Sequence, residues 1–493
     1  MTLADERLKE LDNPSLTADE RTLLRCRVAA DFIHRGQYEA AREALGEHWR
    51  GVGERPNVEG LGERAAAEVL LQVGALSGWA GASGQVKGAQ EAAKDLISES
   101  TARFERLGEV ASAAVARSEL GLCYWREGAY SEARVLLLRA FGDLDDSDTE
   151  RRGKVLLRLV TVEYSAGRHN DGLNLLREHA RIFEASDNHA LKGRFHNLLA
   201  LMFRRLSTAE GRADYLDRAI VEYTAAIYHY EQARHERYKA TNENNLAFLL
   251  SRLGRHREAH GQLDRAGATL LRLKDTGLLA QVDETRARVF IAERKYQEAK
   301  RVIERAVKTL EQGGTVALLA EALTTQGVVL ARLGDYAGSL GSLRRAMEFA
   351  EWAGALSDAG LAALTLIEEH GARRSLPQKE LYELYVRADD LLKDTQDLED
   401  VARLRACARI VMRRLSGVQL HDKNFTFHGA VHEFEAKIIE QALEETGGSV
   451  TRAARLLGIS HQTFSSMLDR RHKKLLPKRK PREKRLKSIM KKE

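Results

Sequence analysis

The chain has 493 residues, of which 30% are charged and 6% aromatic, and none of its five prolines lies between Pro56 and Pro377. This composition excludes a single small core and disfavours a β-sandwich, and the long proline-free stretch predicts an all-α chain of several domains or repeats. The charge is uneven: residues 470–493 carry a net +11, so the rest of the chain carries −5 of the total of +6.

The three cysteines are odd in number and far apart, at Cys26, Cys123 and Cys407. This usage disfavours a disulfide framework and favours a reducing compartment. The N-terminus has no basic segment followed by an apolar run, and no later stretch offers ~20 uninterrupted apolar residues. We therefore expect a cytoplasmic protein without a membrane span.

A short pattern recurs six times, each time around an aromatic residue or a histidine. These anchors are Tyr38, Tyr130, His169, His256, Tyr296 and Tyr336. A glycine lies two residues before every anchor except Tyr296, where the position holds Arg294. A small residue lies nine residues before every anchor except His169, where the position holds Val160. A small residue also lies three residues after every anchor. Small residues let two antiparallel helices approach closely, and the glycine ends the first helix. The pattern predicts repeated helix pairs.

This set of positions resembles the tetratricopeptide repeat (TPR), with a period of about 40 residues instead of about 34. The resemblance implies a TPR-like α-solenoid, a right-handed superhelix of helix pairs, over residues 1–415. A degenerate repeat is expected around SGQVKGAQEAA, and an irregular one has HNLLALMFRRL in its first helix. HEAT repeats share the longer period but lack the glycine and anchor signature.

In the TPR family the first helix of each pair lines a concave groove. The corresponding positions carry Asn197 and Asn244, and further along the first helices come Arg205, Arg252 and Arg332. Asparagine can bond a peptide backbone through its carbonyl and its amide, and arginine can bind a carboxylate with two parallel bonds. These residues suit a peptide or protein ligand in the groove. The alternative is that they are solvated or bond neighbouring helices.

The helical pattern thins at residues 416–428, a predicted linker, and a small unit follows at residues 429–476. The apolar residues on one face of its first helix are Val431, Phe434, Ile438 and Leu443. Gly447 ends this helix, and Ser449 is an expected N-cap for the next.

The second and third helices of this unit have the spacing of a helix-turn-helix. Ala453 and Ala454 keep the second helix narrow, Gly458 takes the turn, and Ser460 caps HQTFSSMLDRR. Phe464 and Leu468, four residues apart, are expected to point inward. The remaining side chains of the last helix then face outward.

The stretch EFEAKIIEQALEETGGSVTRAARLLGIS resembles the Fis-type DNA-binding domain of bacterial enhancer-binding regulators. That family dimerises through its first two helices and inserts the last into the major groove, which implies a homodimer on double-stranded DNA. The implied phosphate contacts are Ser449, Thr451 and Arg452. The implied contacts of the last helix, from its cap onward, are Ser460, His461, Gln462, Ser465 and Ser466.

The sequence departs from this family in the middle of the last helix, where Ser465 and Ser466 stand in place of a common Arg or Lys. Positive charge is displaced to Arg470, Arg471, Lys473 and Lys474 and to a basic tail at residues 477–493. We expect the tail to anchor on phosphates and the helix to choose the site. The alternatives are a solvated tail without a partner and a helix-turn-helix used for protein contacts.

Signals for catalysis are weak. The chain has no GxxxxGK[ST] loop, so nucleotide hydrolysis is not supported. HREAH at His256 and HGAVH at His428 each pair two histidines four residues apart, but no third ligand is evident. We expect no enzyme activity, metal or cofactor.

The sequence favours a bacterial transcription regulator whose array senses or recruits a peptide or protein partner and whose C-terminal unit binds DNA. The alternative is a TPR adaptor or scaffold with a basic tail that docks on RNA or on other proteins.

Overall fold

A computed structural model gives the structure of this protein, and all regular structure in its described residues is helical. It describes residues 15–34, 37–84, 88–209, 211–212, 214–313, 316–371, 373, 376–393, 395, 397–416 and 426–479.

The helices run in antiparallel pairs along most of the chain. The first half contains α1 (Ala18–His34), α2 (Tyr38–Leu45), α3 (Glu63–Gly84), α4 (Ala89–Arg106), α5 (Val110–Arg126), α6 (Tyr130–Gly142), α7 (Thr149–Ser165), α8 (His169–Glu178), α9 (Ala180–Glu184), α10 (His189–Ala209) and α11 (Asp214–Gln232). The second half contains α12 (Glu236–Arg252), α13 (His256–Arg272), α14 (Thr276–Ala292), α15 (Tyr296–Glu311), α16 (Val316–Leu333), α17 (Tyr336–Trp352), α18 (Leu356–His370), α19 (Gln378–Leu391) and α20 (Leu398–Ser416).

The C-terminal unit has three helices: α21 (Phe427–Glu445), α22 (Val450–Leu456) and α23 (His461–Ser466). A π-helical turn (Met467–Arg471) and a 3-10 helix (Lys473–Lys478) follow α23, and a further 3-10 turn (Gly46–His48) follows α2.

Each of the six sequence anchors is the first residue of the second helix of a pair, as the pattern predicts. The glycines two residues earlier take the left-handed conformation, with φ between +74° and +87° at Gly128, Gly167, Gly254 and Gly334. Arg294, which stands in place of the glycine two residues before Tyr296, also has a positive φ, of +60°. The turn thus requires this conformation, and glycine adopts it without strain.

The first helices of successive pairs contact one another and form one layer of the array. Contacts join α1 to α3, α3 to α5 and α5 to α7, and they continue from α12 to α14, α14 to α16 and α16 to α18. Within each pair, small residues are buried where the helices approach, as at Ala247 and Ala259. These features make the array a TPR-like solenoid of helix pairs, which confirms the predicted fold class.

The two irregular repeats are also helix pairs. The degenerate one is α3 with α4, and the first helix of the other is α10, which packs on α11.

The three cysteines are buried and free. Among the described residues, α16 alone is long and apolar enough to span a bilayer; it packs between α15, α17 and α18.

Contacts divide the chain into two compact units, residues 1–373 with 383–407 and residues 374–382 with 408–493. The boundaries given by the sequence at residues 415 and 429 stay predictions. Most of the predicted linker, residues 417–425, and most of the basic tail, residues 480–493, lie outside the described residues.

Two glycines of one helix pair give a matched test of the packing. A Cβ on Gly327 of α16 would lie 2.4 Å from Leu343 Cγ, whereas a Cβ on Gly341 of α17 would meet nothing within 4 Å. We expect Gly327→Ala to lower the free energy of unfolding by about 1–3 kcal/mol through overpacking. Gly341→Ala should raise it by up to about 1 kcal/mol, because alanine favours helix. Urea unfolding measures both; equal effects would contradict this packing.

Candidate nucleic-acid interface and ligand groove

The last short helix is held in place by a small apolar core. Phe464 and Leu468 are fully buried, as predicted, against Ile439 and Leu443 of α21 and against the small residues of α22. Ala453 and Ala454 of α22 are buried too, so α22 can lie close to its neighbours. Because this core fixes one side of α23, the other side is presented to solvent.

Two turns set the angles between these helices. Gly447 and Gly448 have φ +60° and +77°, and Gly458 has φ +66° between α22 and α23. Ser460 caps α23 as predicted, since its Oγ accepts from the Thr463 amide at 3.0 Å. Ser449 stands at the N-cap position of α22, but its side chain makes no capping hydrogen bond.

Most of the predicted DNA-binding side chains are exposed. These are Thr451, Arg452, Ser460, His461, Gln462, Ser466, Arg470, Arg471, Lys473 and Lys474. Ser449 and Ser465 are half-buried, and the Ser465 hydroxyl donates to Asp469 Oδ2 at 3.5 Å. The arrangement exposes the imidazole of His461, the amide of Gln462 and the hydroxyl of Ser466 along α23, with cations beyond its end.

The segment after α23 departs from the predicted continuous helix. HQTFSSMLDRR is α-helical only to Ser466 and then widens into the π-helical turn. His472 is buried, its ring centroid lies 4.4 Å from that of His432, and its Nε2 lies 3.3 Å from Glu435 Oε2. The His432 Nε2 atom bonds the Arg471 carbonyl at 3.0 Å. The sequence pattern did not reveal this contact with α21.

Two of the basic side chains pair with carboxylates of α21. Arg471 lies 3.4 Å from Glu435, and Lys478 Nζ lies 2.5 Å from Glu440 and 2.6 Å from Glu444. The hydrogen bonds to these two glutamates raise the pKa of Lys478 above its usual range. These cations are therefore partly neutralised before any phosphate approaches.

An apolar face remains on the outside of α21. Leu443 of the predicted apolar set is buried, but Val431, Phe434 and Ile438 stay exposed, Phe434 at 55%. A row of such side chains one or two turns apart is unfavourable in water and marks a contact surface.

The groove residues of the array lie on the first helices, as their spacing predicts. Asn197 and Arg205 belong to α10, and Asn244 and Arg252 to α12, and in both helices the arginine lies eight positions after the asparagine. Among the described residues, the buried Oδ1 atoms of Asn197 and Asn244 accept no hydrogen bond. A buried acceptor without a donor is costly, so these two atoms are candidates for a ligand contact.

The three arginines are already engaged with carboxylates of the chain. Arg205 pairs with Asp397, and Arg252 lies 3.3 Å from Glu399. Arg332 donates to Glu369 at 2.7 Å. These partners could not be predicted from the sequence, because they are distant in the chain or lie on the next repeat.

A cavity that the sequence did not indicate opens between the first helices of the N-terminal pairs. Its volume is about 170 Å³. Residues that line it include Ile33, Leu71, Ala75, Val115, Ser118 and Arg158. The Arg158 guanidinium donates hydrogen bonds to Ser118 and Glu119, so these three polar side chains of the cavity lining bond one another.

One histidine of each pair noted in the sequence contacts another group of the chain. His260 Nε2 lies 3.0 Å from Glu293, and His432 bonds a backbone carbonyl. In the part of the chain that the structure describes, no group of three or more His, Cys, Asp or Glu is arranged to hold a metal ion.

The geometry defines a helix-turn-helix unit that follows a solenoid of helix pairs. Residues 430–469 match the family model described as "Bacterial regulatory protein, Fis family", which confirms the resemblance drawn from the sequence. This match begins within α21 and extends to Asp469, so it includes α22, α23 and the turn between them. No curated protein matches the chain at a significant level.

Several solved structures have a similar helical fold. A Rap protein complexed with competence and sporulation factor is 14% identical, with 80% of this chain and 99% of that chain covered and a TM-score of 0.48. The quorum sensor NprR from B. thuringiensis in its apo form is 12% identical, with 70% and 92% covered and a TM-score of 0.48. BtubC (BKLC) from P. vanneervenii is 21% identical, with 45% and 88% covered and a TM-score of 0.37. Each likeness is one of fold alone.

Proposed function

We propose that the protein is a non-enzymatic regulator of transcription that binds specific DNA sequences. The observation that carries this proposal is the exposure of His461, Gln462 and Ser466 on a helix whose other side is fixed by buried Phe464 and Leu468. Imidazole, amide and hydroxyl groups can pair with base edges in the major groove. The Fis-family match of residues 430–469 supports the same function.

The regulator acts as a homodimer in this proposal. Val431, Phe434 and Ile438 form an apolar face on α21 that remains exposed in the single chain. Pairing two such faces removes them from water and sets two α23 helices at a fixed distance. A DNA site of two half-sites then matches the dimer.

The array is proposed to bind a peptide or protein segment through Asn197, Asn244, Arg205, Arg252 and Arg332. The unpartnered Oδ1 atoms of the two asparagines support a ligand that supplies backbone N–H donors. Ligand binding would change the curvature of the solenoid and with it the spacing of the two α23 helices. Small-angle scattering tests this step: a ligand that changes DNA affinity without changing the scattering curve would contradict it.

Fluorescence anisotropy of a labelled duplex tests DNA recognition. Gln462→Ala and Ser466→Ala should each weaken binding to the preferred site by about 5- to 150-fold, because a good base contact contributes about 1–3 kcal/mol of discrimination. Binding to random duplex should stay unchanged. Gln441→Ala, an exposed glutamine on α21, is the matched control.

Removal of residues 429–493 should abolish duplex binding altogether. If this truncation kept its affinity, the C-terminal unit would not be the DNA-binding part. A full chain that bound RNA or protein but no duplex would instead favour the adaptor function.

Removal of the tail alone gives a different expected result. Residues 477–493 hold nine Lys or Arg, and a tail that contacts phosphates adds affinity without sequence preference. Deleting them should weaken binding to all duplexes alike and reduce the slope of log affinity against log salt by about 0.9 for each phosphate released. A salt titration measures this slope; an unchanged slope would contradict a role of the tail in phosphate contact.

A further inference from the structure

Four described residues at the start of α20, Thr395 and Asp397 before it and Glu399 and Asp400 in its first turn, form a group that we call the acidic turn. The Asp397 amide donates to Thr395 Oγ1 at 3.3 Å, and the Glu399 amide donates to Asp397 Oδ1 at 2.9 Å. The Thr395 hydroxyl donates to Asp400 Oδ2 at 3.3 Å. These local bonds constrain the positions of Asp397, Glu399 and Asp400 relative to Thr395.

The acidic turn contacts two arginines that are distant in sequence. Asp397 pairs with Arg205, 192 residues earlier, and Glu399 pairs with Arg252 at 3.3 Å. The Tyr164 hydroxyl accepts a further bond from Arg205 Nε at 3.2 Å. Two carboxylates two residues apart thus meet two arginines that occupy equivalent positions in neighbouring repeats.

The acidic turn leaves the adjoining asparagines unsatisfied. Asn197 and Asn244 lie on the same helices as the two arginines, about two turns earlier. Asn244 is 6% exposed, and within the described residues neither Oδ1 atom accepts a hydrogen bond. A ligand that reached both the arginines and the asparagines would make contacts that the acidic turn does not make.

The ion pairs that hold the acidic turn are partly open to water. Arg252 and Glu399 keep 41% and 47% of their side-chain surface exposed, whereas Arg205 keeps 40% and Asp397 keeps 17%. Exposed ion pairs contribute little net stability, since water solvates the separated charges almost as well. A ligand that replaces Glu399 at Arg252 therefore loses little stability by breaking that ion pair, whereas replacing Asp397 at Arg205 breaks a less exposed pair.

We propose that the acidic turn is an internal competitor for the groove, and that the groove binds acidic peptide segments with two carboxylates spaced as Asp397 and Glu399 are. The inference rests on the proposed peptide-binding function and adds to it the chemistry of the ligand and a self-occupied resting state. Binding of the peptide releases the start of α20 from α10 and α12. The asparagines then bond the peptide backbone.

The probe is a fluorescein-labelled peptide with the chain's own sequence KDTQDLEDVARL, residues 393–404. In the full-length double variant D397N/E399Q, the internal carboxylates are neutral and the arginines are free for the probe. We expect this variant to bind the probe at least ~10-fold more tightly than the wild type in anisotropy titrations. The control D390N/E304Q neutralises two exposed carboxylates elsewhere and should bind as the wild type does.

Two further variants test the receiving side. Adding R205Q/R252Q to D397N/E399Q should return the probe affinity to the wild-type level or below, and a probe with Asn and Gln at the two acidic positions should bind weakly to all variants. Thermal unfolding of each variant verifies the fold. If D397N/E399Q folded normally and bound no more tightly than the wild type, internal competition would be overturned.

Hydrogen exchange separates failure of this inference from failure of the groove function. In the full chain without peptide, R205Q/R252Q should speed amide exchange over residues 395–404, because the acidic turn loses its partners. Unchanged exchange overturns the internal contact itself. Faster exchange without probe binding by any variant overturns the peptide-binding function and with it the proposed ligand.

Discussion

Replacement of Phe464 by alanine is expected to unfold the C-terminal unit and abolish duplex binding, while the array unfolds as in the wild type. Phe464 is fully buried in the core shared by α21, α22 and α23. Truncation of a buried phenylalanine costs about 3–5 kcal/mol. A core as small as this one supplies about 3–5 kcal/mol in all, so the substitution removes most of the stability of the unit.

The two units can be followed separately in this experiment. All four tryptophans lie before residue 353, so tryptophan fluorescence reports on the array alone. Limited proteolysis after Lys and Arg of residues 429–476 reports on the C-terminal unit. Leu456→Ala is the control, since Leu456 is 55% exposed on α22 and its loss should cost within about 0.5 kcal/mol. A Phe464→Ala protein with wild-type protease resistance and duplex affinity would contradict the proposed core.

Glu321→Gln is expected to stabilise the array at pH 8 and to change its stability much less at pH 5. Burial, together with the nearby carboxylates of Glu284 and Asp358, raises the pKa of Glu321 to about 7, against the opposing charge of Arg288. These side chains lie on α14, α16 and α18, successive first helices of the array. The glutamate is therefore favoured in its neutral form in the native state.

The sign of the effect follows from proton binding. Between pH 4.5 and pH 7 the native state holds a proton on Glu321 that the unfolded chain has released, so the free energy of unfolding falls as pH rises through this window. The loss amounts to about 3 kcal/mol above pH 7 for a shift of this size. Glutamine mimics the neutral form at every pH. It removes the whole loss at pH 8, whereas at pH 5 only a small part of that loss has occurred and the gain is small.

Thermal unfolding at pH 5 and pH 8 measures this difference. Glu304→Gln is the matched control, because Glu304 is exposed and pairs only loosely with Lys300 at 3.8 Å. Equal melting temperatures of Glu321→Gln and the wild type at pH 8 would show that the native state does not favour the protonated glutamate.

The helix pairs could be predicted from the sequence because their determinants are local. A glycine, an anchor and small residues at fixed offsets decide where one helix ends and the next begins, and every anchor does begin a helix. Glycine is not strictly required at this turn, because Arg294 has the same left-handed φ as the glycines of the other repeats. The helix-turn-helix was predictable for the same reason, as buried Phe464 and Leu468 show.

Contacts between distant segments could not be predicted. Arg205 was recognised as a groove residue, but nothing near it in the sequence indicates Asp397 as its partner. The approach of His472 to His432 likewise depends on a turn that no local pattern marks. Such pairs are decided by the path of the whole chain, whereas the periodic pattern reports only on neighbouring helices.

The central claim is that α23 reads duplex DNA. Selection of duplexes from a random pool by the full-length protein at moderate salt tests it most directly. We expect repeated rounds to enrich one sequence motif, arranged as two half-sites, and we expect Gln462→Ala to lose part of that motif. A pool that stays random after selection by the folded protein would contradict the claim.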